Sequence, residues 1–285
     1  MRHYRGSFSD ETQLFSLKAM RIQCLDAERN EIKGANGTGF IVINGDARYL
    51  YTCWHLVTGF GFRQIKVGLN HTTRSSLRVF VRTNDGRGTV SGGEIPFEIP
   101  LFSENDQGVP LWEQSPIVRP HSTINAANIA VPHSLDVVRI PLPSEMPLTS
   151  MQVIFADEFQ EIERSMRVCE ELFIVGYPYG YSALPETPSP IVLPRRVASD
   201  ATFNRDLFSI IDRPCAPGMS GSPVFANRQG YACLVGVYSG LIYPDFGIDQ
   251  NTPHTALGIV EDLYYHLKGQ LCFVSAAVSA GQRGM

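Results

Sequence analysis

The sequence predicts an all-β protein of the barrel or sandwich type, and three observations carry that prediction. Short segments rich in β-branched and aromatic residues recur along the whole chain. Clusters of Gly, Asn, Asp and Pro separate them, which is how turns punctuate strands. The composition, 44% apolar and 18% charged over 285 residues, is that of an ordinary globular chain long enough for one large or two medium cores.

In the first half, strands are expected at Gly39–Ile43, Tyr49–Cys53, Gln64–Leu69, Leu77–Arg82 and Leu135–Ile140. In the second half they are expected at Leu172–Gly176, Ile191–Val197, Leu207–Ile211, Pro223–Ala226, Ala232–Tyr238 and Thr255–Ile259. Asn44-Gly45-Asp46 and Asn227 to Gly230 each lie between two apolar runs and read as hairpin connections. Asp85 to Pro132 mixes Gly-rich, Pro-rich and acidic pieces and reads as long surface loops, a length often tied to function. One helix is expected over Glu261–Lys268, with Leu263, Tyr264 and Leu267 on one face and Gly269 to end it. A boundary between two halves falls near Pro141 to Glu163, giving 1–150 and 151–285.

Charge and targeting narrow the partners. A net charge of -4 gives no reason for a nucleic-acid or anionic-membrane partner. No run approaches the roughly 20 apolar residues of a membrane span, and Met1 to Asp10 lacks the apolar centre of a secretory leader, so a cytoplasmic location is expected. Cys24, Cys53, Cys169, Cys215, Cys233 and Cys272 stand singly, without metal-ligand spacing, and most are expected to be reduced and buried.

The chemistry concentrates in Gly218-Met219-Ser220-Gly221-Ser222-Pro223. A serine hydroxyl is a weak nucleophile at neutral pH and needs a base, itself oriented by a carboxylate. Gly218 lets the backbone turn so that its amide and that of Ser220 can converge on one point, the geometry that stabilises an oxyanion. Ser222 stands where the α/β-hydrolase elbow requires glycine, which disfavours that fold. His55 follows Gly37-Thr38-Gly39-Phe40 and a hairpin, at the end of the strand through Tyr51-Thr52-Cys53. Asp136 opens the apolar run Val137 to Leu142, a place equally open to a capping or solvated aspartate.

Together these frames resemble the chymotrypsin-like serine peptidases, trypsin-like and HtrA-type branches included. The order His55, Asp136, Ser220, with intervals of 81 and 84 residues, fits that family, and Val175 to Gly180 with Arg195 to Ser199 adds support. The resemblance spans roughly Met20 to Leu267 and implies two antiparallel six-stranded β-barrels with the site in the cleft between them, plus the short C-terminal helix. It implies that Ser220 attacks a peptide carbonyl, His55 moves the proton, Asp136 orients His55, and the Gly218 and Ser220 amides form the oxyanion hole, with no metal or organic cofactor. Pro214, Cys215, Ser239, Gly240 and Leu241 would line the substrate cleft. Pro214, six residues before the serine, cannot pair with a basic side chain, so a trypsin-type preference is not expected, although nearby Asp212 keeps an acidic pocket open. The substrate would be a protein or peptide. A regulatory partner, or ordering of Asp85 to Pro132, would gate the site. The alternative is a catalytically inactive protein of the same fold that binds peptides or serves as a scaffold. A Cys215 nucleophile is a weaker reading, since no base pairs with it.

Overall fold

The computed structural model describes residues 16–59, 74–84, 90–103, 108–114, 135–149, 152–156, 166–180, 189–199, 208–228, 230–242, 256–263 and 274–275. In chain order the strands are β1 (Ala19–Leu25), β2 (Glu31–Asn44), β3 (Ala47–Thr52), β4 (Ser76–Asn84), β5 (Val90–Pro100), β6 (Glu113–Gln114), β7 (Val138–Pro141) and β8 (Val153–Phe155). They continue with β9 (Glu171–Gly176), β10 (Ile191–Arg196), β11 (Phe208–Ile211), β12 (Ser222–Arg228), β13 (Tyr231–Ile242), β14 (Leu257–Asp262) and β15 (Val274–Ser275). The one α-helix among the described residues is α1 (Trp54–Thr58), and 3-10 turns occupy Ser16–Lys18 and Pro178–Gly180.

The strands form two sheets. The first has nine strands in the order β15-β6-β7-β3-β2-β1-β4-β5, with β8 also pairing β2; the second has six, in the order β10-β9-β12-β13-β14-β11. The second sheet is antiparallel throughout and has the expected six strands. The first departs from six because β8 adds a parallel partner at Ile41↔Val153 and the two-residue strands β6 and β15, the latter from the far end of the chain, extend the sheet beyond β7.

The hairpin readings hold locally. Asn44 pairs with Ala47 across a two-residue loop in which Gly45 takes φ 58, the left-handed conformation a tight hairpin needs. Arg228 pairs with Tyr231 in the same way, and the Gly230 amide donates to Asn227 Oδ1 at 3.1 Å.

Several expectations need correction. The loop reading of Asp85 to Pro132 misses β5 and β6, because Pro96, Pro100 and the glycines disguise a strand. β5 ends the sheet order, and an edge strand tolerates proline, whose missing N–H would cost an inner strand a ladder bond. The expected helix over Glu261–Lys268 begins inside β14, where Glu261 faces Phe208 and Val237 in register. Tyr264 to Lys268 lie outside the described residues, as does the expected strand Gln64–Leu69. β1 and β8 carried no expectation.

There are two cores, and the larger one, centred on the first sheet, also takes in Val175, Phe225, Leu234 and Val237 from the second. Met20, Ile22 and Cys24 alternate inward from β1 onto Phe40, Leu50, Val79 and Ile140. Leu172, Ile174, Val224, Val235 and Val260 form the second core. Full burial of each such aliphatic side chain is worth about 1.5–3 kcal/mol. A double hydrogen bond from Arg228 to Glu170, at 2.9 and 3.0 Å, joins the β12 hairpin to the start of β9.

Candidate active site

The β3–β7 register brings the first two site residues together. Thr52 pairs with Val138, and continuing that antiparallel ladder sets Trp54 opposite Asp136, whose carbonyl accepts the Trp54 amide at 3.3 Å. The chain then winds into α1 and carries His55 with it, so His55 sits in the first turn of a helix rather than at a strand end. Gly59, at φ 81, closes that helix by donating to the His55 carbonyl. The Asp136 carboxylate accepts twice from the same residue, from the His55 amide at 3.0 Å and from Nδ1 at 2.6 Å. Asp136 is buried, at 3% side-chain exposure, while the His55 side chain keeps 25%. A short bond to a buried carboxylate fixes both ring orientation and tautomer, which is what a general base requires.

Ser220 comes from the turn before β12. The Met219 amide donates to the Ala216 carbonyl at 3.2 Å, and the Ser222 amide to the Met219 carbonyl at 3.0 Å. Met219 is fully buried in the second core and pins the turn. Gly218 has φ 90, and a Cβ there would lie 2.6 Å from the Tyr177 carbonyl oxygen and 2.7 Å from the Tyr179 nitrogen. Among the described residues the Gly218 and Ser220 amides donate to no other group, so two N–H groups on one turn remain available to an anion.

Thr38 of β2 holds this turn against the other sheet. Its amide donates to the Ser220 carbonyl at 2.8 Å, and its hydroxyl donates to the Gly218 carbonyl at 2.9 Å while accepting the Tyr177 amide at 3.1 Å. Gly221 permits the approach, since a Cβ there would fall 2.0 Å from the Thr38 carbonyl oxygen.

The Ser220 hydroxyl itself donates to the Ser239 carbonyl at 3.4 Å, and among the described residues no hydrogen bond joins it to His55. Ser239 is the extra residue of a β-bulge, since Tyr238 pairs with Val260 and Gly240 with Ile259. The bulge turns the Ser239 carbonyl toward Ser220, while its buried hydroxyl donates to Glu261 Oε1 at 2.9 Å.

The residues expected to line the cleft divide. Pro214 is half-buried, and its carbonyl accepts Arg195 Nη2 at 3.2 Å. Cys215 is buried, and its amide donates to the Tyr238 hydroxyl at 2.8 Å. Gly240 follows the bulge, and Leu241 pairs with Gly258 and stays 41% exposed. Asp212 is exposed and its carboxylate accepts the Arg196 amide at 3.0 Å. Burial pushes the Cys215 thiol up to about 12, with Arg195 opposing the shift, which leaves it protonated and unsuited to be a nucleophile.

Sequence reasoning missed Thr38, Tyr238, Glu261 and Tyr179. Thr38 had a signal in its Gly37-Thr38-Gly39 frame and Tyr179 in the Val175 to Gly180 run, but neither frame assigned the residue a role. Tyr179, 72% exposed at φ 55, stands beside Gly218 and donates its amide to the Pro217 carbonyl at 2.6 Å. The one metal-type cluster among the described residues is Cys53, His55 and Asp136, with ligand atoms within 4.8 Å of one another, and its imidazole and carboxylate are already bonded to each other. Also among the described residues, no helix is long and apolar enough to cross a membrane.

Two β-sheets meeting at a paired His and Asp and a glycine-flanked Ser define a chain of the serine-peptidase class. The family model for the trypsin-like peptidase domain matches residues 37–237, and the chain belongs to that family. No curated protein sequence matches it. Among solved structures it is similar to a serine endoprotease from Yersinia pestis, at 12% identity and TM-score 0.47, covering 93% of this chain and 66% of that one. It is also similar to the thermostable serine protease AL20 from an extremophilic microorganism, at 11% identity and TM-score 0.45, covering 87% and 92%. The protease Anisep from Arthrobacter nicotinovorans is similar at 11% identity and TM-score 0.46, covering 86% and 89%. At such identities nothing that those proteins do transfers to this one.

Proposed function

We propose that this chain is a serine endopeptidase in which His55, Asp136 and Ser220 act as a triad. The observation that carries the reading is the 2.6 Å bond from His55 Nδ1 to buried Asp136, in a chain whose Gly218 and Ser220 amides donate to no other group among the described residues. Ser220 Oγ attacks the peptide carbonyl and its proton passes to His55 Nε2; the C–N bond then breaks and the amine leaves with that proton. Water, deprotonated in turn by His55, releases the acyl group and restores the serine. The Gly218 and Ser220 amides hold the oxyanion at both tetrahedral stages, a contribution of about 100- to 1000-fold per donor.

Ser220 must rotate from the Ser239 carbonyl toward His55 for this to happen. That resting bond supports gating of the site by a regulatory partner. It also favours the second reading, an inactive peptide-binding or scaffold protein whose serine stays on Ser239. A fluorophosphonate probe separates the two. Labelling of the wild-type chain that disappears in Ser220→Ala establishes the enzyme, whereas no labelling across pH 6–9, with or without cell extract as a source of partner, establishes the scaffold.

A further inference from the structure

The surface beside Ser220 is framed by two segments that a tyrosine ties together. Because Ser220 Oγ reaches the Ser239 carbonyl, the surface next to the nucleophile is framed by Pro214 to Gly218 on one side and by Ser239 to Leu241 on the other. A pocket for a long side chain needs a gap between those two segments. Tyr238, the residue just before Ser239, bridges it: its hydroxyl accepts the Cys215 amide at 2.8 Å and donates to the Cys215 carbonyl at 3.4 Å. The ring is 2% exposed and belongs to the second core, so it is fixed by packing as well as by its two hydrogen bonds. Burial raises the Tyr238 phenol, which keeps its proton available for the Cys215 carbonyl.

The chemistry of the floor matches this geometry. Arg195 donates to the Pro214 carbonyl, and the exposed Asp212 carboxylate accepts the Arg196 amide. Among the described residues, the two framing segments and Tyr238 contribute a proline, a buried thiol that keeps its proton and an aromatic ring, while Glu261 is buried and accepts the Ser239 hydroxyl. Such a floor favours neither a lysine nor an arginine side chain.

We propose that Tyr238 is the specificity-determining residue of this site, blocking the space for a large side chain on the acyl side of the scissile bond and restricting cleavage to small uncharged residues such as alanine and valine. This rests on the serine-endopeptidase reading. Hydrophobic pockets discriminate by about 10- to 200-fold per added or missing methylene, so a blocked pocket is a strong filter.

The test is a series of internally quenched peptides, identical except for Ala, Val, Leu, Phe, Lys or Arg at that position, read as relative kcat/KM on the full chain. The wild type is expected to prefer Ala or Val over Phe, Lys and Arg by at least tenfold. Tyr238→Ala should open the space and raise the Phe-to-Ala ratio by about 100-fold. Tyr238→Phe, which keeps the ring and loses the hydroxyl, should retain the small-residue preference. If Tyr238→Ala does not fold, as judged by its melting transition, Tyr238→Val is read in its place. Cleavage after Phe, Lys or Arg as efficient as after Ala, or a ratio changed less than threefold by the substitution, overturns the inference while leaving the peptidase reading intact. Failure of the wild type to label with fluorophosphonate overturns the peptidase reading and this one with it.

Discussion

Gly218→Ala tests the turn beside Ser220 most directly, because the structure shows what the added methyl group would strike. Its Cβ would lie 2.6 Å from the Tyr177 oxygen, 2.7 Å from the Tyr179 nitrogen and 3.2 Å from the Gly180 nitrogen. All three are backbone atoms and no side-chain rotation relieves them. Reaching ordinary contact at 3.4 Å moves the turn by about 0.8 Å, and a displacement near 1 Å in a catalytic group costs about 100-fold in rate. Alanine at φ 90 adds about 1–2 kcal/mol of backbone strain, a loss of roughly 2–8 °C in Tm for a chain of this size. The assay pairs fluorophosphonate labelling rate and peptide kcat/KM with a thermal melt. We expect kcat/KM to fall about 100- to 1000-fold with KM little changed, since the two amides act on the transition state. A variant that shows the expected Tm loss yet keeps kcat/KM within threefold of wild type would refute the assignment of Gly218 to the oxyanion site.

Three further outcomes follow from the same geometry. Asp136→Asn keeps the shape of the buried side chain but imposes the wrong tautomer on His55, and kcat should drop about 10⁴-fold with the fold intact; a loss under tenfold would remove Asp136 from the mechanism. Arg228→Ala leaves Glu170 at 13% exposure without its double hydrogen bond, and urea melts should show about 3 kcal/mol of lost stability, with a loss under 1 kcal/mol counting against the pair. Stability should also decline as pH rises above 9: the unfolded Cys215 thiol titrates near its ordinary value of 9.0 while the folded one holds its proton up to about 12, so alkali favours the unfolded state across that window. Cys215→Ala should flatten that limb by about 1.4 kcal/mol per pH unit, and an unchanged limb would contradict the burial of the thiol.

What could be read from the sequence depended on whether the signal was local. The hairpins at Gly45 and Gly230 were legible because a two-residue turn states its requirement in the turn residues themselves. His55, Asp136 and Ser220 were legible because each sits in a short frame with ordered spacing, although their mutual distances come from the β3–β7 register and from the docking of Thr38. β5 was hidden because an edge strand does not exclude proline, so Pro96 and Pro100 read as loop. β14 was mistaken for helix at Glu261 because three apolar residues within five positions fit one helical face as well as a strand end. The bridge from Tyr238 to Cys215 and the bulge at Ser239 left no trace in sequence, since both depend on partners far along the chain.

The grip of Thr38 on the turn before β12 has a consequence for the life of the chain before it is fully folded. The first eight strands are complete by Phe155, while the turn with Gly218 and Ser220 is synthesised more than sixty residues later. Two of that turn's carbonyls meet Thr38 across the sheets, a contact of long sequence separation of the kind that closes slowly. A nascent or half-folded molecule thus has its serine but not the backing that aims it.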